Sequence, residues 1–275
     1  MPGIERQSVD VALETVAAWS DAGLKAVLLF GVPDHKDAQG SSAWDDAGAV
    51  QELTRRIKRQ RPAMIVMTDV CLCEHTDHGH CGVLTQRGVD NDATLPLLSR
   101  VAVSHARAGA DVVAPSAMMD GQVAAIRAGL DTAGFAGTAV MSYAVKFASS
   151  LYGPFREAAG SAPASGDRRT YQMDPLSPRQ AVAEARQDVE QGADILMVKP
   201  AAMYLDVLAE IRRRFDLPLA GYHVSGEYSA IKAAARLGWL DEKAAAMEVT
   251  AAIARAGADL IITYFAPQLA KWLRE

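Results

Sequence analysis

Short apolar runs alternate along the chain with segments of helical periodicity. Three of these runs begin at the same Gly-Ala-Asp boundary, in AGADVVAPS (108–116), QGADILMVKP (191–200) and AGADLIITYFAP (256–267). Glycine suits the end of an amphipathic helix, and the apolar residues that follow it are typical of a buried strand. Each boundary therefore predicts the step from a helix to a strand of a parallel sheet.

Four more apolar runs raise the number of predicted strands to seven. They are KAVLLFGV (25–32), AMIVMTDV (63–70), GTAVMSYAVKF (137–147) and LPLAGYHVSG (217–226). Nearly continuous apolar runs are expected in a parallel sheet that helices cover. Both a (β/α)8 barrel and a doubly wound open sheet fit this pattern.

Polar residues at the ends of the runs favour the barrel. A barrel collects residues from all strand ends in one mouth, whereas an open sheet concentrates them where its strand order reverses. No glycine-rich dinucleotide or phosphate-binding pattern follows any run. We therefore predict a (β/α)8 barrel of the TIM type, forming one catalytic domain over residues 1–275. The strand-end residues are Asp69, Ser116, Lys146, Lys199, Tyr222 with Ser225, and Tyr264.

Composition excludes several classes of function. The chain has 50% hydrophobic and 22% charged residues, as expected for a globular protein with one sizeable core. Its formal net charge of −5 argues against nucleic acid as a partner. The N-terminus MPGIERQSVD has no signal-peptide pattern, and no apolar run approaches the roughly 20 residues of a membrane helix. We therefore predict a cytoplasmic protein without a membrane partner.

All three cysteines lie in CLCEHTDHGHC, residues 71–81. Cys71, Cys73 and Cys81 follow a predicted strand and are close enough in sequence to converge on one ion. In a reducing compartment, clustered thiols indicate a metal site rather than disulfides. Zinc suits sulfur ligands, and three protein ligands leave a fourth position for water or substrate. His78 and His80 either ligate, orient a neighbour, shuttle protons or face solvent.

Lys146 and Lys199 each end an apolar strand. Burial and mutual repulsion lower the pKa of two ammonium groups that face one barrel mouth. A neutral lysine attacks a carbonyl carbon and forms a Schiff base. A single strand-end lysine commonly reaches water or pairs with a carboxylate, but two of them in one barrel predict Schiff-base chemistry.

Two segments, 74–94 and 155–180, are too long and polar for simple connections. The second carries Arg156, Arg168 and Arg169. Guanidinium groups bind carboxylates through paired hydrogen bonds, so this segment predicts a lid over an anionic substrate. A solvated insertion with surface arginines is the alternative.

Six segments closely resemble the porphobilinogen synthase (5-aminolevulinate dehydratase) family, and together they span essentially the whole chain. The resemblance implies a (β/α)8 barrel that condenses two molecules of 5-aminolevulinate into the pyrrole porphobilinogen, an early step of tetrapyrrole and haem synthesis. The segments are DVCLCEHTDHGHCG, VMSYAVKFASSLYGPFREAA, GDRRTYQMDP, ILMVKPAAMYLDVL, YHVSGEYSAIKAAA and DLIITYFAPQLAKWL.

The resemblance also implies a role for each site residue. Lys199 resembles the lysine that binds the first substrate molecule, and Lys146 the one that binds the second. The cysteines resemble the catalytic zinc site of the zinc-dependent branch, with Asp69 beside them. Glu227 resembles a glutamate near an allosteric magnesium ion. The implied substrate contacts are Ser225 and Tyr264 for the first carboxylate, Arg156, Arg168 and Gln172 for the second, and Tyr152, Phe155, Tyr222 and Ser116 around them.

Two departures from the family pattern affect these expectations. Where the family reads APSDMMDG this chain reads APSAMMDG, so Ala117 replaces a carboxylate. Loss of an acid–base group costs about 10²- to 10⁴-fold in rate, and we expect activity to be lowered but retained. The chain also begins at a point that follows the N-terminal arm and first barrel strand of family members. We therefore expect that strand to be missing, and a homo-oligomer other than the usual arm-dependent octamer.

Three hypotheses of function follow. The leading one is a zinc-dependent porphobilinogen synthase. The second is a shortened paralogue that has little or no activity and binds a partner subunit. The third, an aldolase-like Schiff-base barrel, explains neither the second lysine nor the cysteine cluster.

Overall fold

The computed structural model describes all 275 residues. None of its helices has the length and apolar character needed to cross a membrane. The helices are α1 (Val9–Asp21), α2 (Ala49–Gln60), α3 (Asn91–Ala108), α4 (Gln122–Thr132), α5 (Gly153–Ala159), α6 (Pro178–Glu190), α7 (Leu205–Arg214), α8 (Ser225–Arg236), α9 (Glu242–Arg255) and α10 (Ala266–Trp272). The strands are β1 (Ala26–Leu29), β2 (Ile65–Val70), β3 (Val83–Thr85), β4 (Gly88–Asp90), β5 (Val112–Pro115), β6 (Ala139–Lys146), β7 (Ile195–Lys199), β8 (Leu219–His223) and β9 (Leu260–Thr263).

Seven strands form one parallel sheet in the order β1-β2-β5-β6-β7-β8-β9. This order follows the chain without reversal, as a barrel requires and a doubly wound sheet does not. All seven predicted strands are confirmed. Strands β1 and β9 are the two ends of the sheet and do not pair with each other. The absence of the family's first strand stays a prediction.

The repeated Gly-Ala-Asp boundary has a structural explanation. In each copy the aspartate lies just before a strand, and its carboxylate accepts a hydrogen bond from a backbone N–H of the neighbouring strand. The glycine has a positive φ, as Gly192 shows with +99°, so a side chain there is strained. The three hydrogen bonds are Val66 N to Asp111, Val140 N to Asp194 and Leu219 N to Asp259, at 2.8, 2.8 and 2.9 Å.

Strand β6 contains a bulge that decides which side chains enter the barrel. Between Ser142 and Val145 this strand advances by three residues while β7 advances by two. In a regular strand, Tyr143 and Lys146 face opposite sides, because side chains alternate. The bulge resets the alternation, so both side chains face the barrel interior, and the Lys146 Nζ lies over the Tyr143 ring.

The two long segments are partly ordered into secondary structure. The first contains the hairpin β3–β4 and ends where α3 begins at Asn91. The second includes most of α5 and continues to the start of α6 at Pro178. Both lie at the carboxyl ends of the strands, where they surround the barrel mouth.

Candidate active site

The structure brings nearly all of the predicted site residues to one pocket at the carboxyl ends of the strands. The free space between their side chains is about 30 Å³, room for a water molecule or two. Cys71 and Cys81 adjoin Cys73 in the thiol cluster, and Glu227 lies apart. The predicted residues in the pocket wall are Asp69, Cys73, Ser116, Lys146, Tyr152, Phe155, Arg156, Arg168, Gln172, Lys199, Tyr222, Ser225 and Tyr264.

Lys146 and Lys199 are direct neighbours in the register of β6 and β7. Both are buried, with relative exposures of 6% and 7%. The Lys146 ammonium donates to the carbonyl oxygen of Ser116 at 2.5 Å. Burial and then the positive charge of Lys146 lower the pKa of Lys199 to about 7. At neutral pH a large share of the Lys199 side chains is therefore neutral, which is the form of lysine that attacks a carbonyl carbon.

Aromatic rings surround the Lys199 Nζ. The nearest ring centroid is that of Tyr222 at 4.3 Å, followed by Tyr143 at 5.0 Å, Tyr152 at 5.3 Å and Phe155 at 5.8 Å. The rings exclude water and offer only weak cation–π stabilisation in return. This surrounding is the structural cause of the burial that lowers the pKa of Lys199.

Asp69 extends from β2 toward both lysines. Its Oδ2 accepts a hydrogen bond from the Ser116 hydroxyl at 3.0 Å. Burial, followed by the negative charge of Glu74, raises the pKa of Asp69 to about 7. The carboxyl group therefore both gives and accepts protons near neutral pH.

The three cysteines form a buried thiol cluster. The Cys71 and Cys73 sulfur atoms are 3.3 Å apart, and all three sulfur atoms lie within 4.8 Å of one another. Burial raises the pKa of Cys71, while hydrogen bonds from the other two thiols lower the pKa of Cys81. Three sulfur atoms at this spacing fit a soft divalent cation, which displaces the thiol protons when it binds. The cluster can therefore hold a metal ion.

Glu74 and Tyr143 belong to the site although the sequence analysis did not select them. Glu74 is 4% exposed, lies in the pocket wall and accepts a hydrogen bond from the Cys73 thiol at 3.1 Å. Tyr143 is fully buried beneath the two lysines. A carboxylate adjacent to a metal-ligand motif was a usable signal for Glu74, and the alternation that places Met141 inward was a usable signal for Tyr143.

The second long segment supplies a group of unpartnered donors to the pocket. Arg168 is 5% exposed and donates to the carbonyl oxygens of Gly79 and Ser161. The Nε atoms of Arg156 and Arg168 and the Nε2 of Gln172 are buried without a hydrogen-bond partner. A buried donor without a hydrogen-bond acceptor destabilises the folded protein, unless a bound ligand supplies the acceptor. A carboxylate is an acceptor that fits all three donors.

Arg169 does not join this group. Its side chain is exposed and forms a long ion pair with Asp167, at 3.7 Å. Arg169 shares the segment with Arg156 and Arg168 but lies outside the pocket wall. The neighbouring Arg168 faces inward, so adjacent positions of this irregular segment face in different directions.

His78 and His80 connect the cysteine loop to neighbouring segments. The ring of His80 makes hydrogen bonds to the Tyr171 hydroxyl at 3.1 Å and to the Ser165 carbonyl oxygen at 3.0 Å. The Nε2 of His78 contacts the Ala38 carbonyl oxygen at 3.2 Å. Of the roles left open by the sequence, these contacts favour orientation, since both nitrogens of His80 are occupied by the second long segment.

Glu227 lies in the first turn of α8 and is buried, away from the pocket wall. Its carboxylate accepts hydrogen bonds from the backbone N–H groups of Val224 at 2.6 Å and Ala202 at 3.0 Å. Burial raises the pKa of Glu227 to about 7. These contacts give Glu227 a structural role as a helix cap, and its part in a magnesium site stays a prediction.

Parallel barrel strands, paired buried lysines and a thiol cluster define an enzyme that activates carbonyl compounds beside a metal-binding site. A family model described as delta-aminolevulinic acid dehydratase matches residues 1–272. The chain belongs to this family, whose members are also called porphobilinogen synthases, and it is accordingly a lyase. The shortened-paralogue and aldolase-like hypotheses receive no support from this assignment.

Individual relatives agree with the assignment. The delta-aminolevulinic acid dehydratase of Halalkalibacterium halodurans is 54% identical over 275 residues, which are 100% of this chain and 84% of that protein. The protein of that name from Methanothermobacter thermautotrophicus is 57% identical over 98% of this chain and 82% of its own length. A crystal structure of the Toxoplasma gondii enzyme with its reaction product porphobilinogen has a TM-score of 0.97 at 43% identity, covering 99% of this chain and 79% of that one. This similarity confirms the barrel fold.

Proposed function

We propose that this enzyme condenses two molecules of 5-aminolevulinate to porphobilinogen through Schiff bases on two lysines. The observation that carries the proposal is the pair formed by Lys146 and Lys199 on adjacent strands, next to a thiol cluster. A single Schiff base needs only one buried lysine. Two of them in register provide one attachment point for each ketone substrate.

Lys199 carries a nucleophilic amine in the free protein, because its pKa of about 7 leaves much of it neutral. We assign the first substrate molecule to Lys199, with its carboxylate near Ser225 and Tyr264. The Ser225 hydroxyl already accepts from the Phe155 N–H and donates to the Leu151 carbonyl oxygen, both at 3.1 Å. A substrate carboxylate must therefore displace one of these contacts or share it.

The second substrate molecule is assigned to Lys146. The unpartnered donors of Arg156, Arg168 and Gln172 face the same pocket and form a ready receptor for its carboxylate. Asp69 lies close enough to both lysines for their charges to act on its carboxyl group, and its pKa of about 7 suits proton transfer during carbon–carbon and carbon–nitrogen bond formation.

Cys71, Cys73 and Cys81 are proposed to hold zinc. When bound, zinc acts as a Lewis acid and lowers the pKa of a bound water molecule. Sulfur ligands favour zinc over magnesium, which prefers oxygen ligands. A magnesium ion near Glu227 is a separate, weaker proposal, since both carboxylate oxygens of Glu227 accept backbone hydrogen bonds.

The second long segment is proposed to act as a lid. The pocket space of about 30 Å³ admits a water molecule or two but no amino acid, so substrate entry requires a neighbouring segment to move. Arg168 and His80 connect this segment to the cysteine loop. Closure over the bound substrates protects the imines from hydrolysis.

Three further proposals concern the protein as a whole. The continuous sheet supports a single catalytic domain, and the free state of all three cysteines supports a cytoplasmic location. The unpaired edges of β1 and β9 support self-association. We expect light scattering to give the mass of a homo-oligomer, and a monomeric mass would contradict this.

Borohydride reduction tests the two attachment points. We expect reduction in the presence of 5-aminolevulinate to leave a mass adduct on the peptides that contain Lys199 and Lys146. Because the neutral amine attacks, the rate of adduct formation at Lys199 should rise with pH through about 7 and then level off. An ordinary lysine has a pKa of about 10.4, so its rate continues to rise up to that pH.

The surface residue Lys271 serves as the internal control, because its peptide should carry no adduct at any of these pH values. Adducts that are absent, or that form at Lys271 as readily as at Lys199, would contradict the proposed function.

A further inference from the structure

Tyr143 lies at the bottom of the active site and contacts both lysines. The Lys199 Nζ is 5.0 Å and the Lys146 Nζ 5.5 Å from the centroid of its ring. Other rings approach Lys199, but only the Tyr143 ring is shared by the two amines. The side chain is fully buried, so its surroundings keep it in place.

The backbone of β6 is shaped to bring Lys146 to the same side as this ring. The bulge between Ser142 and Val145 allows Tyr143 and Lys146 to face the same side of the strand. A bulge leaves part of the ladder unpaired, which costs stability, and bulges are found where a side chain must be redirected. In β6 the two side chains that share the inner face are the aromatic ring of Tyr143 and the amine of Lys146.

We propose that Tyr143 is a positioning residue for the two-lysine reaction, holding both nitrogen cations over one aromatic ring. The inference rests on the proposed function, because it concerns the same two lysines. An ammonium or iminium nitrogen over a ring face is attracted by the ring quadrupole. One shared ring therefore fixes the distance between the two nitrogen atoms. The joining of two substrates requires the two nitrogens to be held at a defined distance.

The tyrosine hydroxyl is not needed for this role. It lies near the carboxyl group of Asp69, and burial followed by the charge of Asp69 raises the pKa of Tyr143, so the hydroxyl stays neutral. A phenylalanine keeps the ring and removes only the hydroxyl. Tyr143→Phe is accordingly the conservative variant, and Tyr143→Leu removes the ring while keeping apolar bulk.

The charges that face Lys199 stay in place in both variants. They come from β6, from β2 and from the cysteine loop. The ring contribution is isolated by comparing Tyr143→Leu with Tyr143→Phe, since both variants lack the hydroxyl beside Asp69. These charged and titratable groups are Lys146, Asp69, Glu74 and Cys73.

The experiment compares the pH midpoint of borohydride trapping at Lys199 in the whole, metal-supplied enzyme. Loss of the ring face destabilises the ammonium, so Tyr143→Leu should lower the midpoint by about half a unit. Its kcat should fall by about 10- to 100-fold with a smaller change in KM, because the two nitrogens lose their common support. Tyr143→Phe should keep the wild-type midpoint.

Tyr204→Leu is the matched control. Its ring stacks on Phe147 at 4.0 Å and contacts no lysine, so the trapping midpoint should not move. Thermal unfolding establishes that each variant is folded, and Tyr143→Met replaces the leucine variant if that one is not. A ringless folded variant with wild-type midpoint and kcat would overturn the proposal, as would a Phe variant that shifts as far as Leu. Absence of trapping in the wild type would instead reject the proposed function.

Discussion

Replacement of Lys199 by alanine is expected to abolish porphobilinogen formation, with a loss of about 10⁴- to 10⁶-fold in kcat. The loss is large because this lysine forms a covalent bond to the substrate, and no neighbouring group can replace it. Lys146 donates to the Ser116 carbonyl oxygen and lies on the neighbouring strand, so it cannot occupy the position of Lys199. The initial rate of pyrrole formation measures the effect.

The fold should survive this substitution. Lys199 and Lys146 repel each other, and removal of one buried ammonium relieves that repulsion. The variant should therefore unfold at about the same temperature as the wild type and still bind zinc. Lys271→Ala, at an exposed position, is the control and should keep full activity. A folded Lys199→Ala enzyme with activity within tenfold of the wild type would exclude a Schiff base at this residue.

Replacement of Cys81 by serine is expected to remove zinc binding and most of the activity. Cys81 is fully buried, and hydrogen bonds from the two other thiols lower its pKa, so it is the thiol most ready to bind a cation. Loss of one sulfur ligand should weaken zinc binding by about 10²-fold or more. Competition with a chelator of known affinity measures this change.

Enzyme activity should change in parallel with zinc binding. Wild-type activity should fall on treatment with the chelator and return with added zinc, whereas Cys81→Ser should not recover at the same zinc concentration. Asp77→Ala changes the same loop at an exposed residue that is not a metal ligand in this account, so it should behave like the wild type. Indifference of the wild type to chelation would contradict a catalytic metal at the thiol cluster.

The sequence was sufficient for the fold because the strands carry strong local signals. Continuous apolar runs predicted all seven strands of the sheet, and the Gly-Ala-Asp boundaries located three of them. The aspartates of those boundaries accept hydrogen bonds from the neighbouring strand, so a local motif also indicates which strands pair. Polar residues at strand ends then predicted the pocket, because parallel strands in a barrel end at one mouth.

Other features of the site depend on contacts that no local pattern encodes. Lys146 has the wrong phase for the barrel interior unless β6 is bulged, because Met141 and Tyr143 already face inward, and an inserted residue has no signature in a continuous apolar run. Arg168 and Arg169 are adjacent in sequence, yet one is buried and the other exposed, because the irregular segment packs only in part on the cysteine loop. Glu227 is placed by α8, whose first turn it caps.

Ala117 is the departure from the family pattern that bears most directly on enzyme activity. It is fully buried beside Ser116, whose hydroxyl donates to Asp69. The carboxyl group of Asp69 remains in the site, and its raised pKa lets it serve in proton transfer. Activity is therefore expected to persist without a carboxylate at residue 117.

The most direct test is pyrrole formation by the purified 275-residue chain supplied with 5-aminolevulinate and zinc. Two molecules of 5-aminolevulinate should disappear for each porphobilinogen formed, and product should be absent from the Lys199→Ala control. A folded, zinc-loaded chain that forms no porphobilinogen would contradict the account, even though its fold and its family are those of the enzyme.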